Sequence, residues 1–253
     1  MASLGAMVSR PVLVVQHEEQ CPPGRVGAWL TEQGLTLDVR HPYAGHRLPG
    51  DLVGHSGLVV LGGHMSALDD ATYPWLSVTK ARIREAATRG IPTLGVCLGH
   101  QLAAVALGGE VQPNPAGKRR GVLDMGWVPA AAEDPLLGGC GDTAVQWHRD
   151  IVTRIPPGTV ELGRAGTGEL LAARFAPSVW GVQSHPEADA EIVRVWARFD
   201  LTAAGSAAEH AAVDDALAQV TAADAALGDS WRSLGVAFAS AVATAEARRP
   251  ALV

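Results

Sequence analysis

The stretch Ile91-Pro92-Thr93-Leu94-Gly95-Val96-Cys97-Leu98-Gly99-His100-Gln101 constrains this chain more than any other. A short apolar run of the buried-strand kind meets a helical segment through a turn centred on Cys97, with glycine two residues before it and two after. A nucleophile carried on a sharp strand-to-helix turn needs small neighbours, because backbone segments and substrate must approach it closely. The turn also sets the sulfur at a helix N-terminus, where the dipole favours an anion. The competing reading of such a residue is a buried core cysteine, common among free cysteines.

The surrounding pattern supplies a framework for such a turn. Val12 to Val15, Leu35 to Val39, Gly57 to Leu61 and Pro92 to Val96 read as strands. Helical stretches stand between them: Gly24 to Gln33, ending at Gly34, and Trp75 to Arg89, closed by Gly90; Leu98 to Leu107 follows the elbow. Alternation of this kind predicts an α/β fold with an open, mostly parallel sheet flanked by helices. From about Val111 the segments Val122 to Val128, Thr143 to Trp147, Glu169 to Phe175 and Val179 to Gln183 read as further strands, some antiparallel at the sheet edge, followed by a helix from Ala188 to Phe199. After about residue 200 the chain turns Ala-rich. Apolar positions Val213, Leu217, Val220, Leu227, Trp231, Leu234, Phe238 and Val242 predict two amphipathic helices that break at Gly228-Asp229-Ser230 and either pack on the parent domain or offer a partner surface. The expected organisation is a leader at 1–10, one α/β domain at 11–200 and a helical extension at 201–253.

Composition narrows the function. A formal net charge of −6 argues against nucleic-acid or anionic-membrane partners, and Lys118-Arg119-Arg120 is too short for a phosphate-binding footprint and reads as a solvated loop. The three cysteines, Cys21, Cys97 and Cys140, are odd in number and widely spaced, which favours a reducing cytoplasm over a disulfide framework. None of the nine histidines forms a pair or a cysteine cluster with metal-ligand spacing, so no metal site is expected. No signal peptide and no membrane-spanning run is apparent.

A thiol nucleophile needs a base, a group that orients the base, and donors for an oxyanion. Val179-Trp180-Gly181-Val182-Gln183 runs into Ser184-His185-Pro186-Glu187, where the proline biases His185 toward an extended exit from the strand. Glu187 is positioned to accept from the ring nitrogen that faces away from sulfur. Trp147-His148-Arg149-Asp150 offers the same histidine-to-carboxylate spacing after another strand, and spacing does not separate the two. His100, one turn past Cys97, is a weaker base candidate. Oxyanion donors are expected from the amide of Leu98 and from the Gly62-Gly63 turn at the end of the third strand, the edge where open α/β sheets collect ligands.

Taken together, Gly95-Val96-Cys97-Leu98-Gly99-His100-Gln101, Gly62-Gly63 and His185-Pro186-Glu187, in that chain relation, resemble the class I (triad) glutamine amidotransferases over roughly residues 12–200. Gly-Gly-His-Met-Ser-Ala-Leu-Asp-Asp, Tyr-Pro-Trp-Leu and Gln-Trp-His-Arg-Asp are similar to stand-alone amidotransferase-like proteins, which are related to the amidotransferase domain of GMP synthetase and to γ-glutamyl peptidases. The resemblance implies Cys97, His185 and Glu187 as the catalytic triad, Gly63 and Leu98 as the oxyanion hole, Gly62 and Gln101 as substrate-binding residues, and His148 and Asp150 as a supporting motif. Where family members often carry proline after the paired glycines, this chain has His64.

The function so implied is hydrolysis of the side-chain amide of glutamine or a γ-glutamyl compound through a glutamyl thioester, with no metal or organic cofactor. The chain shows no P-loop and no synthetase domain. The expected partners are a glutamine or γ-glutamyl small molecule and either an ammonia-accepting synthetase subunit or none, with homo-oligomerisation open. The alternative is a catalytically silent amidotransferase-like binding or regulatory subunit.

Overall fold

A computed structural model describes residues 10–203 and 205–249; the expected leader, apart from Arg10, lies outside the described residues. In chain order the elements are β1 (Val12–Val15), α1 (Gly24–Glu32), β2 (Leu37–Arg40), β3 (Gly57–Val60), α2 (Trp75–Arg89), β4 (Thr93–Val96), α3 (Leu98–Ala106), β5 (Glu110–Pro113), β6 (Arg119–Asp124), β7 (Thr143–His148), β8 (Asp150–Arg154), β9 (Val160–Arg164), β10 (Leu170–Ala176), β11 (Val179–Val182), α4 (Ala190–Ala203), α5 (Ala207–Trp231) and α6 (Ser233–Glu246).

Seven strands form one sheet in the order β2-β1-β3-β4-β11-β10-β9. From β2 to β11 they run parallel, and β10 and β9 continue antiparallel at the edge. The four-residue strands β1, β3, β4 and β11 are buried throughout, which is why they read as unbroken apolar runs. Successive side chains leave opposite faces. Val12 and Val14 join a core with Trp29 of α1, whereas Leu13 and Val15 join a core with Ile83 of α2 and Leu102 of α3.

Three differences from the sequence pattern have physical causes. The strand expected over Val122 to Val128 is β6, ending at Asp124; Gly126 then turns with φ 55°, and Trp127 bridges to Gly163. The cationic run expected to be a solvated loop enters that strand because distant carboxylates meet it. Arg119 pairs with Glu169 at 3.5 Å, Arg120 with Asp200 at 2.6 Å, and Lys118 also pairs with Asp200. Strands β5, β8 and β9 carry charged residues and only partial apolar alternation. They were invisible to periodicity, and β5 and β8 form a separate ribbon closed by an Arg154–Glu110 pair at 2.8 Å.

The C-terminal helices share the core of the sheet. Trp231, Leu234, Phe238 and Val242 are buried with Trp29 and Leu30, and a Cβ on Gly235 would collide with the Cβ of Trp29. The expected break at Gly228-Asp229-Ser230 does not occur: α5 continues to Trp231 and the chain turns at Arg232. Gly228 admits the Arg25 guanidinium, which would lie 3.1 Å from a Cβ there and is tied to Asp224 at 2.8 Å. Close approach, not a helix stop, accounts for the glycine. Phe238, fully buried, is expected to cost about 3–5 kcal/mol when replaced by alanine. Urea midpoints of Phe238→Ala and the parent chain check this; equal midpoints would mean that α6 is peripheral.

Candidate active site

Cys97 sits between β4 and α3 with φ 50° and ψ −103°, and is the one non-glycine residue of positive φ among the described residues. Such a conformation costs of order 1–3 kcal/mol and persists only when its surroundings impose it. Its N–H donates to Val182 at 2.8 Å, and its carbonyl accepts from Gln101 N–H at 3.1 Å, starting the helix. A Cβ on Gly95 would lie 2.5 Å from the Gly99 carbonyl, and one on Gly99 would run into the carbonyl oxygen of Val60 in β3. Both glycines are therefore required by space, as the spacing predicts.

His185 arrives from β11 through Gln183 and Ser184. Its N–H donates to the Val145 carbonyl at 2.8 Å, fastening the strand exit to β7. Its Nδ1 lies 2.7 Å from Glu187 Oε1, with the two side chains 3% and 1% exposed. A carboxylate there accepts a hydrogen bond from Nδ1–H, which leaves Nε2 facing away from it. The ring is buried, and besides Glu187 it is the Cys97 side chain that bears on it. Burial alone would lower the His185 pKa, but the charges of Cys97 and Glu187 outweigh it and hold it well above its ordinary value of 6.5.

The paired glycines follow β3 and close over the same point. A Cβ on Gly62 would stand 3.1 Å from His185 Cε1 and 3.7 Å from Cys97 Cβ, so one small residue separates the loop from both groups. A Cβ on Gly63 would meet Met65 Sδ at 2.6 Å and Leu98 Cδ2 at 3.0 Å. Leu98 is the first residue of α3, where the amide has no partner inside the helix. His64 is anchored, with Nδ1 to Glu18 and Nε2 to Tyr73 Oη at 3.1 Å, which restrains the turn that lacks proline.

Gln101 Nε2 donates to the Asp150 carbonyl at 2.9 Å and lies 3.3 Å from Gln183 Oε1, while Gln183 Nε2 reaches Cys97 Sγ at 3.7 Å. Gln183 was missed by sequence reasoning, as was Trp196, whose ring lies 4.6 Å from that of His185. The only signal for Gln183 was an amide at the end of an otherwise apolar buried strand. Trp196 carried no signal beyond its place on the apolar face of α4.

Cys97, Gly63, Gln101, His148, Asp150 and His185 all line one cavity of about 860 Å3. Gly62, Leu98 and Glu187 stand behind that lining. His100 is excluded from it: its ring packs 5.0 Å from Phe175, and its Nδ1 lies 2.7 Å from a Cβ position on Gly181. His148 is close enough to His185 to feel its charge. Burial first, and that charge second, lower its pKa to about 3. Glu187 Oε1 meets the ring of His185, so contact distinguishes two histidines that spacing leaves equivalent. Among the described residues no group of three or more His, Cys, Asp or Glu is arranged to hold a metal, and no helix is long and apolar enough to cross a membrane.

Residues 31–192 match the family Glutamine amidotransferase class-I. The chain belongs to the class-I glutamine amidotransferase family. The matched span carries the elbow, the glycine pair and His185-Pro186-Glu187, and excludes α5 and α6. One component of the glutamine-hydrolysing GMP synthase of Methanosarcina mazei is 40% identical over 100 residues, 38% of this chain and 51% of that one. The match thus spans about half the length of this and similar curated relatives. The glutamine amidotransferase-like protein YfeJ of Salmonella typhimurium is 29% identical over 184 residues, covering 71% of this chain and 76% of that one. Among solved structures, a glutamine amidotransferase from Methylobacillus flagellatus superposes with a TM-score of 0.77 at 29% identity over 92% of this chain and 95% of that one. One from Thermotoga maritima, at 24% identity and TM-score 0.78 over 90% and 97%, shares the fold.

Three buried histidines set the acid response. Burial lowers His17 to about 3, His100 to about 4 and His148 to about 3, all from an ordinary 6.5. Below pH 6.5 the unfolded chain binds protons that these sites refuse in the folded one, so stability falls as pH drops toward 3–4. Each site contributes up to about 1.4 kcal/mol per pH unit. His185 has the opposite sign: its contribution is complete below 6.5 and is lost as pH rises through its raised folded value. A urea midpoint markedly lower at pH 5 than at pH 7.5 is expected; equal midpoints would contradict the burial of these rings.

Proposed function

We propose that the protein is a cysteine-dependent hydrolase of the side-chain amide of glutamine or of a γ-glutamyl compound, with residues 11–200 as its catalytic domain. The observation that carries this reading is the strained Cys97 elbow sharing one cavity with a buried, carboxylate-held His185 on which the Cys97 side chain bears. The Cys97 thiolate attacks the γ-carbonyl carbon and the C=O electron pair moves to oxygen. The amides of Gly63 and Leu98 receive that oxyanion; loss of one such donor typically costs about 10²–10³ in rate. As the tetrahedral adduct collapses, the C–N bond breaks and His185 Nε2 gives its proton to the departing ammonia or amine, leaving a glutamyl thioester. Water then gives a proton to His185 and its oxygen to the carbonyl carbon, releasing glutamate and the thiolate. Glu187 holds the imidazole through both steps, while Gln101 and Gly62 shape the glutamyl site. His148 and Asp150 support it from β7 and β8.

The GMP synthase relatives favour a second destination for the ammonia, an acceptor subunit docked on this chain; a cytoplasmic setting suits either reading. A catalytically silent role is countered by the intact set of groups.

Incubation with a diazo-ketone analogue of glutamine is expected to place one label on Cys97 and none on Cys97→Ala. Absence of label on folded protein would turn the reading to a binding module. His185→Ala is expected to abolish thioester formation, with His148→Ala losing less. The reverse ranking, in single-turnover assays, would overturn the triad assignment. Amine release is expected to decline as pH rises through the elevated His185 pKa, where the acid is lost.

A further inference from the structure

The cavity is larger than a glutamine side chain needs. Its volume of about 860 Å3 lies near the top of the roughly 300–1,000 Å3 that house drug-sized ligands. Away from Cys97 its lining sets three aromatic rings, Trp147, Trp196 and Phe199, among charged side chains. The His185 ring lies 4.6 Å from Trp196, Trp196 lies 6.4 Å from Trp147, and the Arg120 guanidinium lies 5.9 Å above Trp147. Trp147 and Arg120 face each other across the β6–β7 pair, which fixes that end of the wall. Phe199, one turn beyond Trp196 on α4, lines the same cavity with 60% of its surface exposed.

The charges at the far end answer one another. Lys118 and Arg120 both pair with Asp200, and Glu209, in the first turn of α5, feels the charge of Arg120. Asp200 thus answers both cations, Arg149 also lines the cavity, and Phe199 presents exposed ring surface among these charges. Trp196, Phe199, Asp200 and Glu209 lie beyond the family match at 31–192 and Lys118, Arg120 and Trp147 inside it, so both parts of the chain build this wall. Departing ammonia would have no use for it.

We propose that this chamber binds the amine half of a γ-glutamyl amide, and that the amine is an uncharged aromatic or bulky apolar one. The inference rests on the hydrolase reading above and extends it to the leaving group. In the reaction the C–N bond breaks, water supplies oxygen to the γ-carbonyl carbon and a proton to the amine nitrogen, and glutamate and the free amine are the products. Phe199, Trp147 and Trp196 determine specificity through the ring they enclose.

The test compares γ-glutamyl-benzylamide with γ-glutamyl-allylamide, whose amines are of comparable basicity, on the full chain, following released amine. A kcat/KM at least about 10-fold higher for the benzylamide is expected, the low end of what burying a Phe-sized group supplies. Phe199→Ala, at an exposed position, is expected to shrink that ratio about 3- to 10-fold, and Phe199→Tyr to preserve it. Equal turnover of the two amides overturns the proposal, as does a γ-glutamyl diamine outrunning the benzylamide. Labelling of Cys97 by the diazo-ketone separates the two levels. Label with glutamine hydrolysed but the benzylamide refused removes the chamber's assignment alone. No label and no turnover of any amide removes the hydrolase reading as well.

Discussion

The arrangement depends on one crowded point, where Gly99 presses on the Val60 carbonyl and Gly95 presses on Gly99. With β3, β4 and the start of α3 this close, the chain can leave β4 only by a turn too tight for ordinary φ/ψ, and Cys97 takes the positive φ. The hydrogen bond from Cys97 to Val182 then ties that turn to β11. Because β11 is the strand that delivers His185, this hydrogen bond relates the cysteine to the point where the histidine emerges.

Electrostatics at the site follows from burial of unlike environments side by side. His17, His100 and His148 are buried without a carboxylate and are driven toward the neutral form. His185 is equally buried, yet Glu187 and Cys97 reverse the outcome. The charge of Cys97 and the carboxylate of Glu187 at 2.7 Å together separate one histidine from three others in comparable burial. The C-terminal helices contribute at both ends of this frame: α6 closes the core around Trp29, and the start of α5 brings Glu209 to the cavity.

Much of the parallel sheet was legible because its central strands are buried on both faces and so are apolar at every position; β1, β3, β4 and β11 stand close to where their composition put them. The edge ribbons were not legible. Arg119, Arg120 and Glu110 look like loop residues until Glu169, Asp200 and Arg154 appear beside them, and those partners are far away in sequence. Gly228 misled for a related reason, since a glycine that stops a helix and one that admits an arginine are identical in a sequence.

The sequence by itself determined the elbow, since Gly-x-Cys-x-Gly between a buried strand and a helix admits few other shapes, and it named the histidine candidates and the glycine pair. Residue spacing left His148 and His185 equivalent, the family resemblance favoured His185, and neither revealed Gln183 and Trp196 beside the sulfur and the imidazole. Those neighbours belong to the tertiary structure, because hydrogen bonds and ring contacts depend on which strand ends lie together, and that order is set by sheet pairing between segments tens of residues apart. Local residue pattern reports what each segment tends to become, whereas the site is made by the distances between segments.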